Sequence, residues 1–143
     1  MKIVISESQY NRLIEAKEEQ KVLQIPSLKF FNNDWFLLQE FLERKGNPPY
    51  SFGENLHLTG TPIKSLENLQ SVGGDLYLRG TPIKSLGNLQ SVDGYLELYR
   101  TPIESLGNLL SVGVLDLEGT PLPKRYNEEQ IRKMVDVEGD IYL

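Results

Sequence analysis

The sequence predicts an α/β chain: a short solenoid of stacked repeats with a helical N-terminal cap and a C-terminal helix-strand cap. Three observations lead there. A twenty-residue unit recurs nearly verbatim through the middle of the chain, opening at Leu56, Leu76 and Leu96 and, in shortened form, at Leu115. Each copy opens with two leucines at period two, the spacing of one face of a strand. Both flanks carry capping residues followed by helical spacing. Self-similarity at such a period marks stacked units that bury a continuous core only when they lie side by side.

Residues 1–50 are expected to form the helical N-terminal cap. Ser6-Glu7-Ser8-Gln9 fits a capping box, with Tyr10, Leu13, Ile14 and Lys17 at helical spacing behind it and Leu23 and Ile25 further along, so a first helix is expected there. A second helix should begin at Asn33 or Asp34, run through the apolar stretch from Trp35 to Leu42, and stop at Gly46 before Pro48-Pro49. Its aromatics are expected to cover the open end of the repeat core.

Residues 51–123 form the repeats. The pairs Leu56/Leu58, Leu76/Leu78, Leu96/Leu98 and Leu115/Leu117 are read as core, and the residues between them as outward-facing. In the following x-G-T-P-I segment glycine permits a sharp bend, proline ends the ladder for want of an N–H, and the isoleucine returns inward. The threonines Thr61, Thr81, Thr101 and Thr120 should satisfy main-chain groups at that corner. The return segment S-L-x-N-L-x-S-V spaces Leu66, Leu69 and Val72 three apart, suiting a tight helical or irregular convex side. Asn68, Asn88 and Asn108 are expected to make local turn hydrogen bonds there.

The bend and return positions barely change between copies, whereas the outward strand positions change at every step. One column reads His57, Tyr77, Glu97, Asp116; the next Thr59, Arg79, Tyr99, Glu118; the one before them Asn55, Asp75, Tyr95, Val114. Tyrosine and arginine combine large contact area with a polar handle, and they often anchor interfaces. Exposed strand positions also favour aromatics for cross-strand packing alone. The candidate partner-binding residues are therefore Tyr77, Arg79, Tyr95, Glu97 and Tyr99 at the centre, with His57, Arg100, Asp116 and Glu118 around them. Arg100 stands where the sister copies have Gly60, Gly80 and Gly119, so it is strained if that position needs positive φ.

With these residues in view, the chain resembles the leucine-rich repeat family. V-G-G-D-L-Y-L-R-G-T-P-I, residues 72 to 83, matches its L-x-x-L-x-L-x-x-N-x-L pattern with one extra residue before the first strand leucine and threonine at the asparagine position. The pattern L-x-L-x-x-T-P-[IL] recurs through residues 51–123, and the repeats look most like the short ones in proteins of large tailed bacteriophages. The resemblance implies parallel strands lining a concave face that binds protein partners, and a viral protein acting in bacterial host cytoplasm. Leu13-Ile14-Glu15-Ala16 further resembles the (L/I)-x-E site, followed by a small residue, cut by phage prohead proteases. That would make residues 1–15 a removed leader of a cargo packaged in the virion, while the same four residues also suit ordinary amphipathic helix.

Residues 124–143 are expected to cap the other end. Asn127-Glu128-Glu129-Gln130 starts a short helix, and V-E-G-D-I-Y-L at residues 137–143 repeats V-G-G-D-L-Y-L at residues 72–78, giving a final strand with a bare edge. Such an edge leaves a monomer and an edge-paired homodimer both open.

Composition narrows the chemistry. The absence of cysteine removes disulfides, thiolate zinc sites and thiol nucleophiles. A net charge of -5 opposes attraction to nucleic-acid phosphates. No apolar run is long enough to span a bilayer, and the Lys2-Ile3-Val4-Ile5 segment is too short for a signal-peptide core, which suits a cytoplasmic protein. Glu97 and Asp116 lie on neighbouring strands about 4.8 Å apart, a spacing that invites comparison with paired glycosidase carboxylates, but a shallow sheet offers no water-excluding pocket. No enzyme activity, cofactor or metal is expected. The expected function is a non-enzymatic protein-protein interaction module, with inhibition of a host bacterial defence enzyme or a self-assembling virion role as alternatives. Five strands give a strip about 19 Å across, below the roughly 800 Å² each partner contributes to a standard interface, so a flank must take part.

Overall fold

The computed structural model describes residues 6–8 and 21–143. The first helix expected through residue 17 and the cleavage pattern at residues 13–16 lie almost wholly outside them. The described chain is a mixed α/β structure built on a parallel sheet. In order it contains β1 (Leu23–Ile25), a 3-10 turn (Leu28–Phe31), α1 (Trp35–Arg44), β2 (Tyr50–Phe52), β3 (Leu56–His57), β4 (Leu69–Val72), β5 (Leu76–Tyr77), β6 (Ser91–Glu97), β7 (Ser111–Asp116), a second 3-10 turn (Leu122–Lys124), α2 (Glu128–Met134), β8 (Asp136–Val137) and β9 (Ile141–Tyr142).

The strands form two parallel ladders. The first stacks β1 on β2, β2 on β4, β4 on β6, β6 on β7 and β7 on β8. The second stacks β3, β5, β6, β7 and β9, with Leu56, Leu76, Leu96, Leu115 and Ile141 in register. Among the described residues only β6 and β7 run through both ladders. Where a coil crosses from one ladder to the other, neighbouring main chains come close. A Cβ on Gly73 would lie 2.8 Å from the Gly53 carbonyl oxygen, and one on Gly74 would strike the Asn55 amide oxygen.

The core follows the repeat. Leu56, Leu58, Leu76, Leu78, Leu96, Leu98, Leu115 and Leu117 are all buried, as are Ile63, Ile83 and Ile103 from the bends. Thr61, Thr81, Thr101 and Thr120 each donate their hydroxyl to the carbonyl three residues earlier, at 2.7 to 2.8 Å. That bond satisfies a carbonyl at the corner where the ladder stops.

Several local expectations are corrected. Leu23 and Ile25 do not extend a helix; they lie in β1 and pair with Tyr50 and Phe52. Their period-two spacing and the proline at position 26 suit a strand that ends there. The return segment is not helical either, since Leu69–Val72 is a strand and Ser71 and Val72 pair with Ser91 and Val92. Stacked near-identical segments can bond main chain to main chain: the Gln90 amide donates to the Gln70 carbonyl at 2.7 Å and the Leu110 amide to the Gln90 carbonyl at 2.8 Å. The asparagines reach between coils rather than closing local turns, Asn68 donating to the Asn47 carbonyl at 2.7 Å and Asn88 to the Asn68 side chain at 3.2 Å. The local turns are closed by Ser65, Ser85 and Ser105, whose hydroxyls accept from the amides two residues on.

At the N-terminal end, Asp34 caps α1 by accepting from the Phe36 and Leu37 amides. The helix buries Trp35, Leu38 and Leu42, with the Trp35 ring 6.3 Å from that of Tyr50. The aromatics do not all cover the core as expected: Phe36 is 54% exposed and Phe30, in the preceding turn, 73%. Tyr50 donates its buried hydroxyl to the Leu66 carbonyl at 2.8 Å and accepts from Gln39 at 3.0 Å, and burial pushes its phenol above the usual range.

The strand edge expected to be bare at the C-terminal end is half filled. In inner coils the next coil supplies amides to this edge, as when the Glu138 amide donates to the Val112 carbonyl at 3.1 Å and the Gly139 amide to the Gly113 carbonyl at 2.7 Å. On the last coil the Arg132 guanidinium does the same work, donating to the Val137 carbonyl at 3.0 Å and the Gly139 carbonyl at 2.8 Å. Glu128, one turn earlier on α2, holds the guanidinium at 3.0 and 3.2 Å.

Candidate protein-binding face

The second ladder presents its outward side chains in three columns. Register puts His57, Tyr77, Glu97, Asp116 and Tyr142 side by side, each next to a core leucine or isoleucine pointing the other way. Thr59, Arg79, Tyr99 and Glu118 form the next column, tied together where the Gly60, Gly80 and Arg100 amides donate to the Arg79, Tyr99 and Glu118 carbonyls. Asn55, Asp75, Tyr95 and Val114 form the column before.

The aromatic residues meet. The His57 and Tyr77 rings stack at 4.6 Å and 5°, and Tyr77 lies 6.1 Å from Tyr95 in a tilted pair. The Arg79 guanidinium carbon sits 4.6 Å from the Tyr99 ring centre and that of Arg100 5.1 Å from the same ring. Arg79 also donates to Glu97 at 2.8 Å. Of the nine candidate residues, seven are therefore linked in two adjoining groups: His57, Tyr77 and Tyr95, and Arg79, Glu97, Tyr99 and Arg100.

The remaining two differ. Glu118 is exposed, and its carboxylate has no side-chain partner among the described residues. Asp116, expected as an exposed contact residue, is only 7% exposed. It accepts from the Tyr95 hydroxyl at 2.7 Å and from the Glu118 amide at 2.9 Å, so both its oxygens are engaged within the chain. It positions Tyr95 rather than offering itself to a partner.

Carboxylates fix both central tyrosines. The Tyr77 hydroxyl donates to Asp75 at 2.9 Å, and this bond, followed by burial and the charges of Asp75 and Glu97, raises its pKa. Tyr95 is raised further, first by burial and then by the bond to Asp116 and the surrounding carboxylate charge. Both hydroxyls stay protonated through the neutral range and act as donors.

Three contributors were not singled out by the sequence. The Asn55 side chain accepts from the Asp75 amide at 2.7 Å and the Asp75 side chain from the Tyr95 amide at 2.7 Å, each stapling one coil to the next. The glycines at Gly74 and Gly94, where a Cβ would strike those side-chain oxygens, were the available signal. Tyr142 stands in the Tyr77 column, as the match between residues 137–143 and 72–78 already implied. Arg100 has φ +55°, in line with +71° at Gly60, +70° at Gly80 and +73° at Gly119, so the position does demand the left-handed conformation.

The paired carboxylates are committed to structure, Glu97 to Arg79 and Asp116 to Tyr95 and the main chain. Among the described residues no group of three or more histidine, aspartate or glutamate side chains is arranged to hold a metal ion, and no helix is long and apolar enough to cross a membrane. Comparison of the chain with protein-family models, with curated proteins and with solved structures finds no match.

Proposed function

We propose that the chain is a small right-handed leucine-rich-repeat solenoid that works as a protein-protein interaction module, with Tyr77, Arg79, Tyr95, Glu97 and Tyr99 at the centre of its contact surface. One observation carries this reading: the outward positions that vary between copies assemble into one aromatic and cationic cluster whose members are fixed by internal bonds. Rings held in place before contact lose little rotational freedom when a partner covers them, so more of their contact energy appears as affinity. Engagement of Glu97 and Asp116 within the chain favours binding over catalysis. The mechanism is stoichiometric occlusion or scaffolding. In the phage setting that the repeat resemblance implies, the partner is a host or viral protein, and inhibition of a host defence enzyme is one use of such occlusion.

The test is affinity capture from bacterial lysate, comparing the wild-type chain with a Tyr77→Ala, Arg79→Ala, Tyr99→Ala triple variant of matched thermal stability. A stoichiometric partner held by the wild type and lost by the variant supports the reading. A partner retained by both shows that the cluster is only cross-strand packing.

A further inference from the structure

We infer that β3 is a docking edge for an extended segment of the protein partner, which joins the second ladder as the strand that the described residues leave out; the inference rests on the protein-binding role proposed above. The two ladders do not end together. β1 lies outside β2 in the first ladder, but after Ile25 the chain meets Pro26 and turns away, with the Ser27 hydroxyl accepting from the Lys29 amide at 3.2 Å to start the 3-10 turn. Among the described residues no strand lies outside β3.

The free edge has a defined pattern. In later coils the preceding coil fills it: the Leu56 amide donates to the Asp75 carbonyl at 2.8 Å, the Leu58 amide to the Tyr77 carbonyl at 2.9 Å and the Gly60 amide to the Arg79 carbonyl at 2.8 Å. The equivalent carbonyls on the first coil are those of Asn55, His57 and Thr59, and no described residue donates to them. A parallel strand placed there would supply alternate amides to these carbonyls and take the His57 amide in return.

Space for such a strand exists. A cleft of about 570 Å³ is lined by Leu28, Lys29 and Asn33 together with Glu54, Asn55 and His57. Its size falls within the range of established ligand sites. Register also sets a side-chain preference, because the outward residue of an added strand falls beside His57, whose ring already stacks on Tyr77 at 4.6 Å. An aromatic residue there continues the stack into the tyrosine cluster. The cleft is thus continuous with the proposed contact surface and provides the flank that a strip about 19 Å wide needs to reach standard interface size.

The probe is an acetylated, amidated peptide with the sequence of residues 72–79, which places two leucine amides and an intervening tyrosine in the required register. Its control is the same peptide N-methylated at both leucines, which keeps every side chain and removes the two donors. Titrated into the full-length, nitrogen-15-labelled chain, the first peptide is expected to shift the Asn55, His57 and Thr59 amides and to slow hydrogen exchange at His57. The methylated peptide should bind about tenfold more weakly or worse, the loss of at least one net main-chain bond. Equal binding of the two peptides, shifts confined to other coils, or no shift at millimolar peptide would each overturn the inference. So would a His57 amide already protected in the free chain.

The lysate capture fails or succeeds separately. A partner lost by the tyrosine variant while β3 stays silent leaves the proposed function standing without this edge. Docking at β3 with no partner dependent on the tyrosines leaves the edge standing without that face.

Discussion

The two ends of the repeat array solve the problem of termination differently. At the C-terminal end the outermost carbonyls of the first ladder, on Val137 and Gly139, are taken by Arg132, a side chain that substitutes for the amides of a further coil. At the N-terminal end Trp35, Leu38 and Leu42 of α1 are buried in the core, but among the described residues nothing pairs with the outer main-chain edge of β3, the edge away from β5. Apolar coverage and hydrogen-bond coverage are thus separate requirements. One end meets both along its first ladder, and the other meets only the apolar one beside its second ladder. An array whose ends were both sealed by side-chain donors would resist edge pairing, whereas here the described residues leave the outer edge of β3 able to accept a strand.

The largest effect should come from removing the apolar cover. Trp35→Ala deletes a ring that is 4% exposed and rests near Tyr50, so it should cost about 3–5 kcal/mol in urea denaturation. A loss under about 1 kcal/mol would mean that α1 covers the core loosely and that the N-terminal end does not meet the apolar requirement either.

Next comes the main-chain seal. Arg132→Ala frees two carbonyls that water can partly reach, since the arginine side chain is itself 38% exposed, and should cost about 1–2 kcal/mol. It should also raise the tendency of the chain to self-associate, read by sedimentation across a concentration series. Arg132→Lys, which places a single ammonium where a planar fork served two carbonyls, should recover less than half of the loss. Full recovery by lysine would reduce the role of Arg132 to charge.

How much of this was legible in the sequence depends on which forces act at short range. The core leucines, the threonine corner and the α1 boundary at Asp34 follow from local periodicity and capping, and the sequence displays them directly. The strand over Leu69–Val72 was hidden because its apolar spacing imitates a helical turn, while the bonds that make it a strand come from the coils on either side. Arg132 was hidden more deeply. Its pairing with Glu128 is visible as an i,i+4 spacing, but its capture of two carbonyls depends on where α2 comes to rest. In the candidate face the residue types were readable and the division of labour was not: Asp116, read as exposed, turned out to be the buried anchor of Tyr95.

The same opposition between local strain and neighbouring contact runs inside the array. Glu67 and Arg100 both hold positive φ, at +54° and +55°, where the matching positions in sister coils are glycine. Glu67→Gly should therefore stabilise the fold by about 0.5–1 kcal/mol, the relief of left-handed strain less the extra freedom glycine gives the unfolded chain. Arg100→Gly relieves the same strain but also removes a guanidinium 5.1 Å from the Tyr99 ring. An exposed cation–π contact contributes about 0.5 kcal/mol, so its net gain should be smaller. Chemical denaturation of both variants measures the difference. Equal gains would show that the Arg100 contact with Tyr99 adds nothing in the free chain.

The smallest expected effect is the dependence of stability on alkaline pH. Tyr95 has its pKa raised above the ordinary 10.0 by burial and by Asp116, and buried Tyr50 is raised as well. Above pH 10 the unfolded chain releases these protons while the folded chain keeps them, so the folded state binds more protons and stability must fall as pH rises. Below that pH the contribution is complete and the curve is flat. Tyr95→Phe should lower stability slightly at neutral pH, because it leaves an oxygen of Asp116 without its donor, and should make the alkaline decline shallower. Tyr50→Phe should shallow the same decline at the N-terminal end and cost more at neutral pH, since the Leu66 carbonyl it serves is buried. Denaturation midpoints at pH 8 and pH 11 for the wild type and both variants separate the two tyrosines. An alkaline slope unchanged by Tyr95→Phe would mean that its hydroxyl is not held by Asp116 in solution, and that the central ring of the face is free to turn.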